Sequence, residues 1–202
     1  ANSLIPSEAP NDQAITASVD DALRLGCSAI GFTIYPGSSC ALDMFEEISA
    51  MREEAAAKGV ATVIWSYPRG EALTKAGETG IDIAAYAAQI AALIGAHIIK
   101  IKLSTDHLEL AEAKKVYEAQ NIDIASQAAR VKHCMDASFA GRRIVVFSGG
   151  ASKGADSVYD DARAIRDGGG NGSIIGRNSF QRSREDALSL LSDLVDIYKG
   201  KT

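Results

Sequence analysis

The stretch Ile98-Ile99-Lys100-Ile101-Lys102-Leu103 sets two lysines two places apart in an apolar run. On a strand, residues two apart share a face, so Lys100 and Lys102 point one way and Ile99, Ile101 and Leu103 the other. Inside a closed barrel, desolvation and like-charge repulsion favour the neutral amine of a lysine. A neutral amine attacks carbonyls. The alternative is an edge strand with its lysines in water, a common guard against aggregation.

A second group is Trp65-Ser66-Tyr67-Pro68-Arg69-Gly70. The same period of two puts the Tyr67 hydroxyl beside the Trp65 indole at a strand's C-terminal end. A tyrosine so placed can move protons when a cation tunes it, or it is a core tyrosine with a satisfied hydroxyl. The third group is the pair of glycine-rich ends Ser148-Gly149-Gly150 and Gly176-Arg177-Asn178. On the last two strands of a barrel these would hold a phosphate through backbone N–H groups, a short helix and the Arg177 guanidinium. Alone, they read equally as two tight turns with a surface arginine. Gly150-Ala-Ser-Lys153-Gly154 lacks the ending of a Walker motif.

Periodicity supplies the elements that must carry these groups. Strands are expected at Ser28–Tyr35, Val60–Tyr67, His97–Leu103, Ile144–Phe147 and Ser173–Ile175, each followed by a helical pattern. The helix after the first strand has Leu42, Phe45, Ile48 and Met51 at spacings of three, the third helix is alanine-rich from Ile81 to Ile94, and the last runs from Arg184 to Tyr198. Ser18 caps a helix that precedes the first strand and ends at Gly26. The crossover from Ser104 to Ala140 holds two helical patterns where one would suffice, which suggests an interface or a lid. Such alternation means a parallel α/β fold, either an open doubly wound sheet or part of a barrel. Unusual chemistry at every strand end favours a (β/α)8 TIM barrel with one C-terminal active face. The turn Tyr35-Pro36-Gly37-Ser38-Ser39 is no dinucleotide fingerprint.

A net charge of −5 argues against a broad nucleic-acid-binding surface. No apolar run approaches the ~18 residues of a membrane span. Cys27, Cys40 and Cys134 are too scattered for a disulfide frame, so reduced thiols and a cytoplasmic location are expected. The polar opening from Ala1 to Pro10 does not resemble a secretory signal. His97, His107 and His133 lack metal-ligand spacing, and Glu53-Glu54 reads as a solvated helix face.

In order, Gly31-Phe-Thr-Ile-Tyr35-Pro-Gly-Ser, Val63-Ile-Trp65-Ser-Tyr67-Pro-Arg-Gly, Ile99-Lys100-Ile-Lys102, Phe147-Ser148-Gly-Gly and Ile175-Gly176-Arg177-Asn178 resemble the archaeal-type, prokaryotic class I fructose-bisphosphate aldolases. The likeness runs from about residue 14 to residue 198. It implies a TIM barrel whose sixth strand holds Lys100. It also implies a lyase that reversibly cleaves fructose 1,6-bisphosphate in glycolysis and gluconeogenesis through a lysine Schiff base, with neither metal nor cofactor. Lys100 would form the imine with dihydroxyacetone phosphate, Tyr67 would transfer protons, Trp65 would pack the pocket, and Lys102 would act as a fixed charge. Ser148, Gly149, Gly150, Gly176 and Arg177 would bind the phosphate. Small sugar phosphates are the expected partners, and a homo-oligomer is expected, with no nucleic acid and no membrane. The family's first strand supplies an active-site aspartate that has no counterpart here. Residues 1–202 therefore read as one domain, the C-terminal five βα units of a protein of roughly 280 to 340 residues. Other readings are a related Schiff-base barrel, either an aromatic-precursor synthase or an acyl-transferring relative, and a non-catalytic half-barrel that only binds phosphate.

Overall fold

The structure, a computed structural model, describes residues 8–149 and 153–201. Five parallel strands form one sheet: β1 (Ala29–Ile34), β2 (Ala61–Ser66), β3 (Ile98–Lys102), β4 (Ile144–Ser148) and β5 (Gly172–Ser173). Their order in the sheet is β1-β2-β3-β4-β5. A doubly wound sheet would reverse direction at a switch point, whereas this one never does. The sequential order is that of a (β/α)8 barrel, of which five βα units are seen here.

The helices are α1 (Val19–Arg24), α2 (Ala41–Ala57), α3 (Ile81–Ile94), α4 (Ala111–Ala119), α5 (Gln127–Ala137), α6 (Ala155–Asp167), α7 (Arg177–Phe180) and α8 (Arg184–Tyr198). Ser18 closes a capping box with Asp21, and Ser126 and Ser183 accept from Ala129 N and Asp186 N. Gly95 ends α3 at φ 102°, a conformation that costs a residue without Cβ little.

The strand faces divide as the period of two requires. Ile34, Ile64, Ile99, Ile101, Val145 and Phe147 are buried and pack with Ile48 of α2, four alanines of α3, Val131, Cys134 and Met135 of α5, and Ile165 of α6. The short side chains of α3 let it lie close on the sheet, where the Ser66 hydroxyl donates to the Ala87 carbonyl across the buried face. Each large apolar side chain buried here contributes about 1.5–3 kcal/mol. The opposite face carries Gly31, Thr33, Trp65, Tyr67, Lys100 and Lys102, all less covered.

Several sequence expectations move. Leu42 is 73% exposed and Met44 is buried in its place, because a repeat of three drifts off the 3.6-residue helical face. The last strand is only two residues long, and the added helix α7 follows it. In the crossover α5 packs on α3 and α6, while α4 buries no residue, so α4 is the insertion. Its loop is strapped down. The Glu109 carboxylate accepts from Thr74 N, Thr74 Oγ1 and His107 Nε2, each at 2.8 Å, and Asp82 receives the N–H groups of Glu109 and Leu110. These bonds, with His107 foremost, pull the Glu109 carboxyl down to about 2. All three cysteines are free, and burial pushes the Cys134 thiol up to about 12. Among the described residues no helix is long and apolar enough to cross a membrane.

Candidate active site

At the C-terminal ends of the strands lies a cavity of about 340 Å³. Tyr67 and Arg69 from the end of β2, Lys100 and Lys102 from β3, Ser148 and Gly149 from β4, and residues 174–178 and 180 after β5 line it. Seven of the nine residues singled out in the sequence therefore converge here. Gly150 lies outside the described residues. Trp65 stands one level below, opposite Lys100 in the β2–β3 register, its ring laid against Gly31 of β1.

The inward face of β3 stages the two lysines at different heights. Lys100 is level with Trp65 and Val146, and Lys102 with Ser148. Lys100 Nζ lies 5.5 Å from the centroid of the Tyr67 ring, so an ammonium there is held by the ring's negative face. The Arg69 guanidinium sits 6.0 Å from the centroids of both Tyr35 and Tyr67. It is anchored through its backbone, since Arg69 N donates to Pro36 O and Ala72 N to Gly37 O. Gly70 has φ 126° and lies so close to Gly37 that a Cβ would meet the Gly37 carbonyl oxygen at 2.3 Å, which leaves room there for glycine alone.

Burial, with the positive charges of Arg69 and Lys75 behind it, pushes the Lys102 ammonium down from the ordinary lysine range, against a raising influence from Glu78. Both lysines remain partly exposed on the inner face.

Arg69 and Asn178 were within the quoted motifs without a role, and Phe180 was missed. A cation directly after a strand that ends in tyrosine was the available signal for Arg69. Nothing local marked Phe180, which reaches the cavity only because α7 turns the chain back. Among the described residues, no cluster of three or more His, Cys, Asp or Glu side chains is placed to hold a metal ion.

The sequence profile of the DeoC/LacD family of aldolases matches residues 2–182. The chain belongs to that family. It is 35% identical over 186 residues to the class 1 fructose-bisphosphate aldolase of Thermoproteus tenax, covering 91% of this chain and 60% of that protein. It is 33% identical over 179 residues to the corresponding enzyme of Halobacterium salinarum, covering 88% of this chain and 58% of the other. Among solved structures, an archaeal fructose 1,6-bisphosphate aldolase superposes with a TM-score of 0.78 at 31% identity, over 96% of this chain and 66% of that one. A second, in which the catalytic lysine is covalently bound to the carbinolamine intermediate of the substrate, gives 0.77 at 30% identity, over 95% and 66%. The chain thus spans about 60% of the length of the curated relatives it matches.

Proposed function

We propose that this aldolase-family chain carries the active face of an enzyme that reversibly cleaves fructose 1,6-bisphosphate into dihydroxyacetone phosphate and glyceraldehyde 3-phosphate. The observation that carries the reading is the convergence of Lys100, Tyr67 and the two glycine-rich strand ends on one cavity of sugar-phosphate size. The kinship with class 1 aldolases and with a lysine-bound intermediate in a relative supports it.

In this mechanism the neutral Lys100 amine adds to the substrate ketone and water leaves, forming a protonated imine. Tyr67, on the same face, removes the proton of the C4 hydroxyl. The C3–C4 bond then breaks, its electron pair entering the imine as an enamine, and the aldehyde departs. Reprotonation of the enamine carbon and hydrolysis of the imine release dihydroxyacetone phosphate and restore the lysine. Ser148, Gly149, Gly176 and Arg177 hold the phosphate, and Lys102, level with Ser148, faces it as a fixed charge. Gly150 completes this loop in the sequence reading. Trp65, level with Lys100, supports the floor of the site. In this reading the chemistry needs no metal and no cofactor.

Borohydride reduction in the presence of dihydroxyacetone phosphate tests the assignment. A three-carbon adduct is expected on Lys100, abolished in Lys100→Ala and retained in Lys102→Ala. An adduct on Lys102, or no trapping at all, overturns it.

A further inference from the structure

The two loops proposed to hold phosphate are barely joined by the sheet. β4 and β5 pair through Val146 with Gly172 and Phe147 with Ser173, Asn171 bonds with Val145 at the lower end through its backbone N and its side chain, and at the upper end the described ladder closes with the bond from Ile174 N to Phe147 O. The cup residues Ser148, Gly149, Gly176 and Arg177 all lie beyond it. An anion cup works only if its donors keep their spacing before the anion arrives, so something else must set that spacing.

We infer that Arg182 and Asn178 set it, as positioning residues that clamp one loop to the other. This step rests on the phosphate-cup reading above and adds to it Arg182, which nothing in the sequence suggested, and a role for Asn178, which the motif contained without one. The Arg182 guanidinium donates from Nε to the carbonyl of Asn178 at 2.7 Å and from Nη2 to the carbonyl of Lys153 at 2.8 Å. Asn178 Oδ1 accepts from the backbone N of Lys153 at 2.8 Å. Both backbone polar groups of Lys153, in the loop after β4, are therefore held by residues after β5. The Lys153 ammonium also pairs with Asp161 of α6. That ion pair and the Asn178 amide stand directly behind Gly149, where an added Cβ would lie 3.3 Å from Asp161 Oδ2 and 3.9 Å from Asn178 Nδ2.

Asn178 is 4% exposed, so its amide makes these bonds away from competing water. Arg182 stands outside the cavity lining, and its part is geometric. A planar guanidinium offers several N–H donors in a fixed fork, so one side chain can hold two carbonyls from different loops in a single orientation. A lysine offers a point charge on a flexible stem and fixes the pair less well.

The test compares wild-type protein with Arg177→Ala, Arg182→Gln and Arg182→Lys. Inorganic phosphate binding is measured by calorimetry, and borohydride trapping is run with dihydroxyacetone and with its phosphate. Arg182→Gln should weaken phosphate binding by about 10- to 100-fold, the usual effect of removing a residue that orients a binding group. It should slow trapping of the phosphorylated ketone and leave trapping of free dihydroxyacetone at the wild-type rate. Amide exchange at Lys153 should quicken. Arg182→Lys should fall between, which keeps the idea testable if the glutamine variant folds poorly. Unchanged phosphate affinity in Arg182→Gln, or equal loss of trapping with both ketones, overturns the clamp. If Arg177→Ala loses phosphate while Arg182→Gln keeps it, the cup stands and only the clamp falls. If Arg177→Ala binds phosphate as tightly as wild type, both fall.

Discussion

Gly31→Ala probes the floor of the site through a single methyl group. Gly31 lies in β1 with no left-handed backbone, so alanine meets no conformational penalty there and the effect is steric alone. Its Cβ would stand 2.4 Å from Cζ3 and 3.0 Å from Cη2 of Trp65. Carbon atoms in contact settle at ~3.5–4.0 Å, so the indole must retreat by more than about 1 Å. Trp65 is the backbone partner of Lys100, and Tyr67 is the next residue on the same face, so the retreat presses on both proposed reacting groups. Overpacking of this kind costs about 1–3 kcal/mol, which a folded domain survives. A misplacement of ~1 Å near reacting groups costs up to about 10²-fold in rate. Trp65 is the chain's single tryptophan, so emission and acrylamide quenching report its move without ambiguity. The expected result is a shifted emission maximum, increased quenching and slower imine trapping on Lys100. In a Trp65→Leu background the same glycine change should cost far less, a non-additivity that marks direct contact. A wild-type spectrum with wild-type trapping in Gly31→Ala refutes the packing, and additive losses in the double variant refute the link from Trp65 to the site.

Two further outcomes are expected. Tyr67→Phe keeps the ring against Lys100 and Arg69 and should fold normally while turnover falls about 10²- to 10⁴-fold, the ordinary weight of general acid–base catalysis; retained turnover in a steady-state cleavage assay removes Tyr67 from the mechanism. The Glu109 strap has a folded-state value of about 2 against an ordinary 4.5, so the stability it adds is complete above 4.5 and is lost as the pH falls from there towards 2. Glu109→Gln should therefore lower the urea midpoint at neutral pH and lose that difference across this window, and a pH-independent difference between the two proteins would contradict it.

What the sequence disclosed depended on how local the physical cause was. The faces of β2 and β3 were legible because strand alternation needs only neighbouring residues, and Ile99 and Ile101 do face the core while the lysines face away. The cap at Ser18 was legible for the same reason. Leu42 was misplaced because a repeat of three and a repeat of 3.6 agree for one turn and then diverge, which only packing against the sheet decides. Glu109 and Arg182 were illegible in principle. Each acts on residues about 30 positions away, and an exposed-looking Glu or Arg in a polar loop carries no mark of the carbonyl or hydroxyl it will meet.

The two lysines show where sequence and structure must be read together. Burial, with the charges of Arg69 and Lys75 adding to it, lowers the ammonium of Lys102. The register still separates their tasks. Lys102 shares its level with Ser148, where the proposed cup begins, and a cation there would offset the charge of a bound phosphate. Lys100 lies one pleat lower, beside the ring of Tyr67, where the carbonyl of a three-carbon ketone would reach once its phosphate is seated above. A nucleophile at the level of Ser148 would compete with the phosphate for the same space. In the proposed mechanism Lys100 has a proton-transfer partner in Tyr67 without that competition, so the choice between the lysines rests on what each has for a neighbour.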